Sequence, residues 1–449
     1  MPINSFLYPA KNVPGAYEVA NSLRFNDDSS DRLTITPSST NRKTFTFSAW
    51  IKRANIGGNQ SLAVGFDNSN NYTLIRLESD KLHVFTLNGG SFQFQLKTNR
   101  LLRDVSAWYH IVVAIDTSQA TSSNRVKLYI NNNQETSLAE SSYPSQNDFT
   151  FFNHTFDVSL GYNGAGDYFD GYMAEVCFID GQQLDPTSFG EFDSDTNIWK
   201  PIDVSGLTFG TNGFYLDFEN SSSLGADVSG NGNNFTVNNL TSIDQTTDTC
   251  TNNFATLNPL EAEDNSPTYS DGNLTQTTPT TGGTGGRSTI EIPHTGVWYW
   301  EVKIVSTTGT IADHIRLGIA TGDTTTIGEN IRYMSNGQSV IPGSASSYGA
   351  TYQAGDIIGV KVDADNNQVT FYKNGASQGA ISYTMVAGET YKAIVGEHSN
   401  TIGCVYSMNF GNPPFSISSG NSDPEGYGNF EYSTDSGYAL NTKNLAEYG

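Results

Sequence analysis

Short segments in which apolar and polar residues alternate, each closed by Gly, Asn, Asp or Ser, recur along most of the chain, while helical periodicity is nearly absent. Alternation of period two sends successive side chains to opposite faces of a strand, so the pattern argues for an all-β fold and against an α/β one. β-branched and aromatic residues fill segments at 44–51, 72–77, 81–87, 108–115, 126–130 and 171–179. A second series begins at Val297 and continues at 316–320, 357–362, 369–372, 391–395 and 405–410. Short strands at such spacing, joined by turn residues, describe sandwiches. Within 108–115, Tyr109, Ile111, Val113 and Ile115 share one face, and Val112 and Ala114 keep the other apolar. Such a strand is expected at a sheet centre, covered on both sides.

Two β-sandwich domains are therefore expected, joined by a Gly/Asn/Thr-rich connection and followed by an extended C-terminal tail. The boundaries read as 1–206 for the first sandwich, 207–286 for the connecting region, 287–415 for the second sandwich and 416–449 for the extended C-terminal segment. Within the connection, residues 213–218 read as a strand that packs on one sandwich, and 280–286 as a flexible link. Residues 363–367 and the pair Asn374-Gly375 read as hairpin turns, the latter with positive φ accessible at both positions.

The balance of 46 Asp and Glu against 23 Lys and Arg gives a net charge of −23. A polyanion of this kind is repelled by phosphate, which argues against nucleic acid and anionic membranes as partners. A content of 36% hydrophobic and 12% aromatic residues is enough to offset the entropy of folding, so disorder is not expected. Cys177, Cys250 and Cys404 lie too far apart, with no CxxC pair, to suggest a disulfide framework or a zinc site. Residues 1–15 have no cationic stretch leading into an apolar run, and no window approaches a membrane span, so neither secretion nor membrane insertion is expected.

Particular phrases carry a family likeness. Ser22-Leu23-Arg24-Phe25, Phe45-Thr46-Phe47-Ser48-Ala49-Trp50-Ile51, Trp108-Tyr109-His110, Val126-Lys127-Leu128-Tyr129-Ile130-Asn131 and Gly171-Tyr172-Met173-Ala174-Glu175-Val176 follow one another in an order that resembles laminin-G-like, concanavalin A-like jelly rolls. Trp298-Tyr299-Trp300-Glu301-Val302, then Gly355-Asp356-Ile357-Ile358-Gly359-Val360 and Val369-Thr370-Phe371-Tyr372-Lys373-Asn374-Gly375, resemble SPRY domains. The two together, with Ile198-Trp199-Lys200-Pro201, Asn212-Gly213-Phe214-Tyr215-Leu216-Asp217-Phe218 and the closing Gly437-Tyr438-Ala439-Leu440-Asn441, look like virion proteins of tailed phages, marine and cyanophage types in particular. That resemblance implies a non-enzymatic structural protein of the phage particle surface or tail: a tail fibre, an appendage or a capsid-surface fibre. Its partners would be other virion proteins and a host-surface glycan or protein, and a homotrimer would suit a fibre. A capsid decoration or adaptor protein without external ligand, and a carbohydrate-cleaving depolymerase, are the alternatives.

Three kinds of site were weighed. Glycosidases need two carboxylates about 5 to 10 Å apart. No paired-carboxylate phrase occurs, Glu175 and Asp180 fall on opposite faces of a regular strand, and Glu301 stands alone among aromatics. No catalytic residue is therefore assigned. Ca²⁺ is the cofactor the acidic loops suggest, with Asp67 and Asn68 in one loop and Asp227 and Asn231 in another as oxygen ligands, although runs of Asx and Gly serve hairpin turns equally well. Tyr333, Tyr348 and Tyr352, in a Gly/Ser-rich stretch matching the loops at the ligand-binding rim of SPRY domains, are the candidate ligand-binding residues; packing under long loops is their other reading. The six histidines show no paired spacing and read as structural.

Overall fold

A computed structural model describes residues 17–262, 267–280, 284–309, 315–321, 330–342, 344–397 and 402–449. Two units emerge, one comprising Asn12–Thr251 and one containing Asn252–Gly449.

The first unit is a sandwich of two eight-stranded sheets. One sheet is centred on Thr44–Arg53, flanked by Trp108–Asp116 and Gly171–Asp180. The other runs as an antiparallel meander through Asn59–Asn68, Asn71–Glu78, Lys81–Asn88 and Ser91–Thr98. Phe45, Phe47, Ile111 and Val113 from the first sheet meet Ile75, Leu77, Val84, Phe94 and Leu96 from the second, all buried. Each such side chain contributes roughly 1.5–3 kcal/mol by leaving water. The doubly apolar strand behaves as its composition dictates: Ile111, Val113 and Ile115 enter this core, while Val112 joins a second layer with Cys177, Phe189, Phe209 and Tyr215.

In the second unit, an eight-stranded sheet carries Val297–Thr307 beside Ile357–Asp363 and Cys404–Asn409, facing a six-stranded sheet with Tyr391–Glu397 and Ile315–Thr321 at its centre. Asn374 and Gly375 form the expected tight hairpin, at φ of 48° and 79°.

The connecting region and the tail differ from expectation. Residues 207–251 belong to the first sandwich: Phe214–Leu216 pairs with Gly171–Asp180, Thr236–Asn238 extends one sheet, and Gln245–Thr246 extends the other. From Asn252 the chain is part of the second unit, so the boundary falls between Thr251 and Asn252 rather than across an 80-residue connection. Of the 280–286 link, 281–283 lie outside the described residues, and the rest leads into the strand Thr284–Ile292. Polar composition misled here, because these strands are only two to four residues long and hold their places by backbone pairing and buried polar contacts. The C-terminal segment is likewise integrated. Tyr438–Ala439 pairs in parallel with Val297–Thr307, and a capped helix, Thr442–Tyr448, follows.

Candidate functional site

The tyrosines expected at an exposed rim are packed instead. Tyr333 lies in the strand Asn330–Met334 with no exposed surface, Tyr352 is buried, and Tyr348 is half-buried. Their rings meet at centroid separations of 4.9 Å (Tyr333–Tyr352) and 5.4 Å (Tyr333–Tyr348). Every hydroxyl is taken by backbone: Tyr333 donates to the Ala350 carbonyl, Tyr348 to that of Gly379, and Tyr352 to that of Tyr333 at 2.9 Å. These side chains therefore fix the loop between 335 and 352 and present no free polar edge to a ligand.

The two loops considered for Ca²⁺ are closed turns. Asp227 Oδ1 accepts from the backbone N–H of Tyr215 and of Ser229, both at 2.9 Å, and Oδ2 from that of Asn233 at 2.8 Å. Asn231 Nδ2 donates to the Gly210 and Gly213 carbonyls at 2.6 and 2.8 Å. Asp67 Oδ2 accepts from the amides of Asn68 and Asn71 at 2.8 and 3.3 Å. Each loop offers one carboxylate already engaged by N–H donors, and no group of three or more His, Cys, Asp or Glu suited to a metal occurs among the described residues. These residues do not fit the multi-oxygen cage that Ca²⁺ requires.

A cleft of about 410 Å³ opens at one end of the first sandwich, beside the 67–71 turn. That volume falls within the range of small-ligand sites. Two hairpin tips form one wall and are stitched together, Gly90 N–H donating to the Asn70 carbonyl and Gly89 N–H to Asn71 Oδ1, each at 2.9 Å. The other wall is the loop at 147–156. Phe152 anchors it in the core, with ring centroids 5.1 Å from Phe45 and 5.6 Å from Phe178. Gly65 permits the close approach, because a Cβ there would sit 2.5 Å from the Phe151 carbonyl oxygen. Phe149, 53% exposed, is left facing the cleft with Phe151 and Phe156. Asn71, Asn88, Asn147 and Gln93 add planar amides. The Oε1 of Gln93 is buried without a hydrogen-bond partner. Aromatic faces interleaved with amides match the mixed apolar and hydroxyl surface of a sugar ring. Sequence reasoning missed this site. Its one local signal is the cluster Phe149, Phe151, Phe152 and Phe156 in a stretch that lacks strand alternation.

The acidic residues considered for catalysis are sealed. Glu175 sits at a bulge in Gly171–Asp180 with φ of 51°, and Oε2 accepts from the Tyr17 and Tyr215 hydroxyls at 2.8 and 2.7 Å. Burial pushes its carboxyl up to about 7. A folded-state value raised above the ordinary one means that protonation favours the fold. The contribution is complete below about pH 4.5 and is lost as pH rises toward 7. Glu175→Gln, neutral at every pH, should therefore gain up to about 3 kcal/mol over the parent at pH 8 and little at pH 4.5. Parallel pH profiles of the melting temperature in the two proteins would refute this. His110 is equally internal. Trp199 Nε1 donates to its Nδ1 at 3.0 Å, Nε2 reaches Ser48 Oγ at 2.8 Å, and burial lowers its pKa to about 3. His314 and His398 lie outside the described residues.

Comparison with known proteins agrees with the two sandwiches. Residues 27–183 match the model of the concanavalin A-like lectin/glucanases superfamily, and residues 297–412 match that of the SPRY domain. The chain carries a concanavalin A-like domain and a SPRY domain. Both are binding-type domains, and all the cleft residues fall within the concanavalin A-like match. No curated protein matches the sequence. Among solved structures, the SPRY domain of human HERC1 is similar at 17% identity and a TM-score of 0.30, with 34% of this chain and 96% of that one covered. Domains LG4-5 of the mouse laminin α1 chain are similar at 12% identity and a TM-score of 0.31, with 91% and 93% covered. Domain 4 of the arabinanase AbnA from Geobacillus stearothermophilus, in complex with arabinotriose, is similar at 16% identity and a TM-score of 0.26, with 32% and 64% covered.

Proposed function

We propose that this chain is a non-enzymatic adhesion protein of a phage particle, mounted on the tail or capsid surface, whose concanavalin A-like domain holds a host-surface saccharide in the cleft beside Phe149. The observation that carries the binding part is the cleft itself, with an exposed aromatic face and amide groups that have hydrogen-bonding capacity left over. The virion part rests on the succession of a jelly roll, the polar phrases after Trp199, a SPRY domain and the closing phrase at 437–441, which is similar to that of phage structural proteins. Binding without cleavage is supported by the burial of Glu175 and Glu301, which are 5% and 0% exposed. Many copies on one particle would turn weak single-site contacts into firm attachment.

Two measurements test the reading. Purified full-length protein on an array of bacterial surface glycans should retain specific ligands, and Phe149→Ala should weaken retention about tenfold or more while leaving the melting temperature unchanged. Release of reducing ends from a retained glycan would instead support the depolymerase reading. Purified particles should contain the chain in fixed stoichiometry. Its presence there without any glycan retention would favour a decoration or adaptor role, and its absence would refute the virion assignment.

A further inference from the structure

The cleft contains a cation prepared for an anion. The guanidinium carbon of Arg42 lies 5.3, 5.4 and 5.9 Å from the ring centroids of Phe149, Phe151 and Phe156. Its position is fixed from both ends. Nε donates to the Thr150 carbonyl at 2.8 Å, while the N–H and hydroxyl of Thr150 donate back to the Arg42 carbonyl at 3.0 and 2.7 Å. The two terminal nitrogens have no hydrogen-bond partner in the protein and no carboxylate within salt-bridge distance. In a chain of charge −23 this stands out, because Arg24, Lys52, Arg53, Arg76 and Arg103 of the same unit are each paired with an acid. The nearby acids are engaged elsewhere: Asp148 Oδ2 by the Ser145 N–H at 2.7 Å, and Asp67 Oδ2 by two Asn amides.

A guanidinium whose terminal N–H groups are open presents a planar fork that matches a carboxylate or sulfate in two parallel hydrogen bonds. Aromatic walls lower the local dielectric and strengthen such a pair. Beside it, the buried Gln93 Oε1 needs a donor, which a sugar hydroxyl supplies. We infer that the ligand is an acidic saccharide, its carboxylate or sulfate seated on the terminal nitrogens of Arg42, a hydroxyl on Gln93 and a ring face on Phe149. This rests on the glycan-binding reading above and narrows it to one charge class.

The experiment uses matched pairs of oligosaccharides on the full chain, with affinities measured by calorimetry. Oligogalacturonate and oligomannuronate are set against their carboxyl-reduced neutral forms, and a sulfated galactan oligomer against its desulfated form. At least one acidic member should bind about tenfold tighter than its neutral partner, and the advantage should shrink as salt is raised. The pair that shows it identifies carboxylate or sulfate. Arg42→Gln should erase the difference, and Arg42→Lys, which keeps the charge without the fork, should retain part of it. The wild-type comparison decides the matter even if either variant is poorly folded. Equal binding of acidic and neutral members overturns the inference while leaving the glycan reading standing; no binding by any member overturns both.

Discussion

Replacing Asp248 by alanine should cost the first unit about 3–5 kcal/mol, the usual penalty for leaving a buried charge without its partner. Asp248 Oδ2 lies 2.8 Å from Lys52 Nζ, and each side chain is 1% exposed. Trp108 Nε1 reaches Oδ1 at 3.3 Å, and the Ser22 hydroxyl donates to the Asp248 carbonyl at 2.6 Å. The residue thus pins the last strand-forming segment of the unit, next to Gln245–Thr246, onto the central strand Thr44–Arg53. In a unit of this size the loss should lower the melting temperature by about 10 °C or more. The double variant Lys52→Met with Asp248→Leu should recover most of it, since well-packed apolar replacements of buried pairs are close to neutral. A thermodynamic cycle read by calorimetry checks both points. A single-variant loss below about 1 kcal/mol would show that water reaches the pair.

The second large effect is expected at Glu301. Burial raises its carboxyl above the ordinary range against the pull of four donors: Asn409 Nδ2 at 3.0 Å, the N–H groups of Glu431 and Tyr432 at 3.0 and 2.8 Å, and the Tyr299 hydroxyl at 3.3 Å. Two of these donors belong to the C-terminal segment, which also buries Phe430 against Tyr299 at a centroid separation of 5.3 Å. Glu301→Ala removes the acceptor for all four and should cost about 3 kcal/mol or more. The segment should then open locally before the sandwich unfolds. Hydrogen exchange of the 411–437 amides should accelerate well beyond that of Ile357–Asp363, and trypsin should reach Lys443 at low concentration. Uniform acceleration across both regions would mean that the carboxylate supports the whole unit rather than the strap.

The strands were legible because their signal is local. Val126–Ile130 occupies the residues its alternation marks, and most other long strands differ by one or two at their ends. The Asn374-Gly375 hairpin was legible for the same reason, since its φ values depend on two residues alone. Segments 207–251 and 416–449 were not, because their order comes from partners far away in sequence: Lys52 for Asp248, Glu301 for Glu431 and Tyr432. Turn chemistry in the Asp67 and Asp227 loops was visible, yet composition could not tell a carboxylate turned onto backbone N–H groups from one turned outward.

By itself the sequence determined the all-β class, the two sandwiches, their central strands and the acidic balance, all properties written within a few neighbouring residues. Which aromatics stay available was decided only by the tertiary structure. Tyr333 and Tyr352 vanish beneath the loop they hold, whereas Phe149 remains exposed because Phe152, three residues on, takes the place in the core. Arg42, Gln93 and Phe149 are separated by tens of residues and meet where two hairpin tips and a loop close one end of the sandwich. Exposure depends on what covers a side chain, and the covering segments are distant in sequence, so the cleft exists only once the sheets have packed.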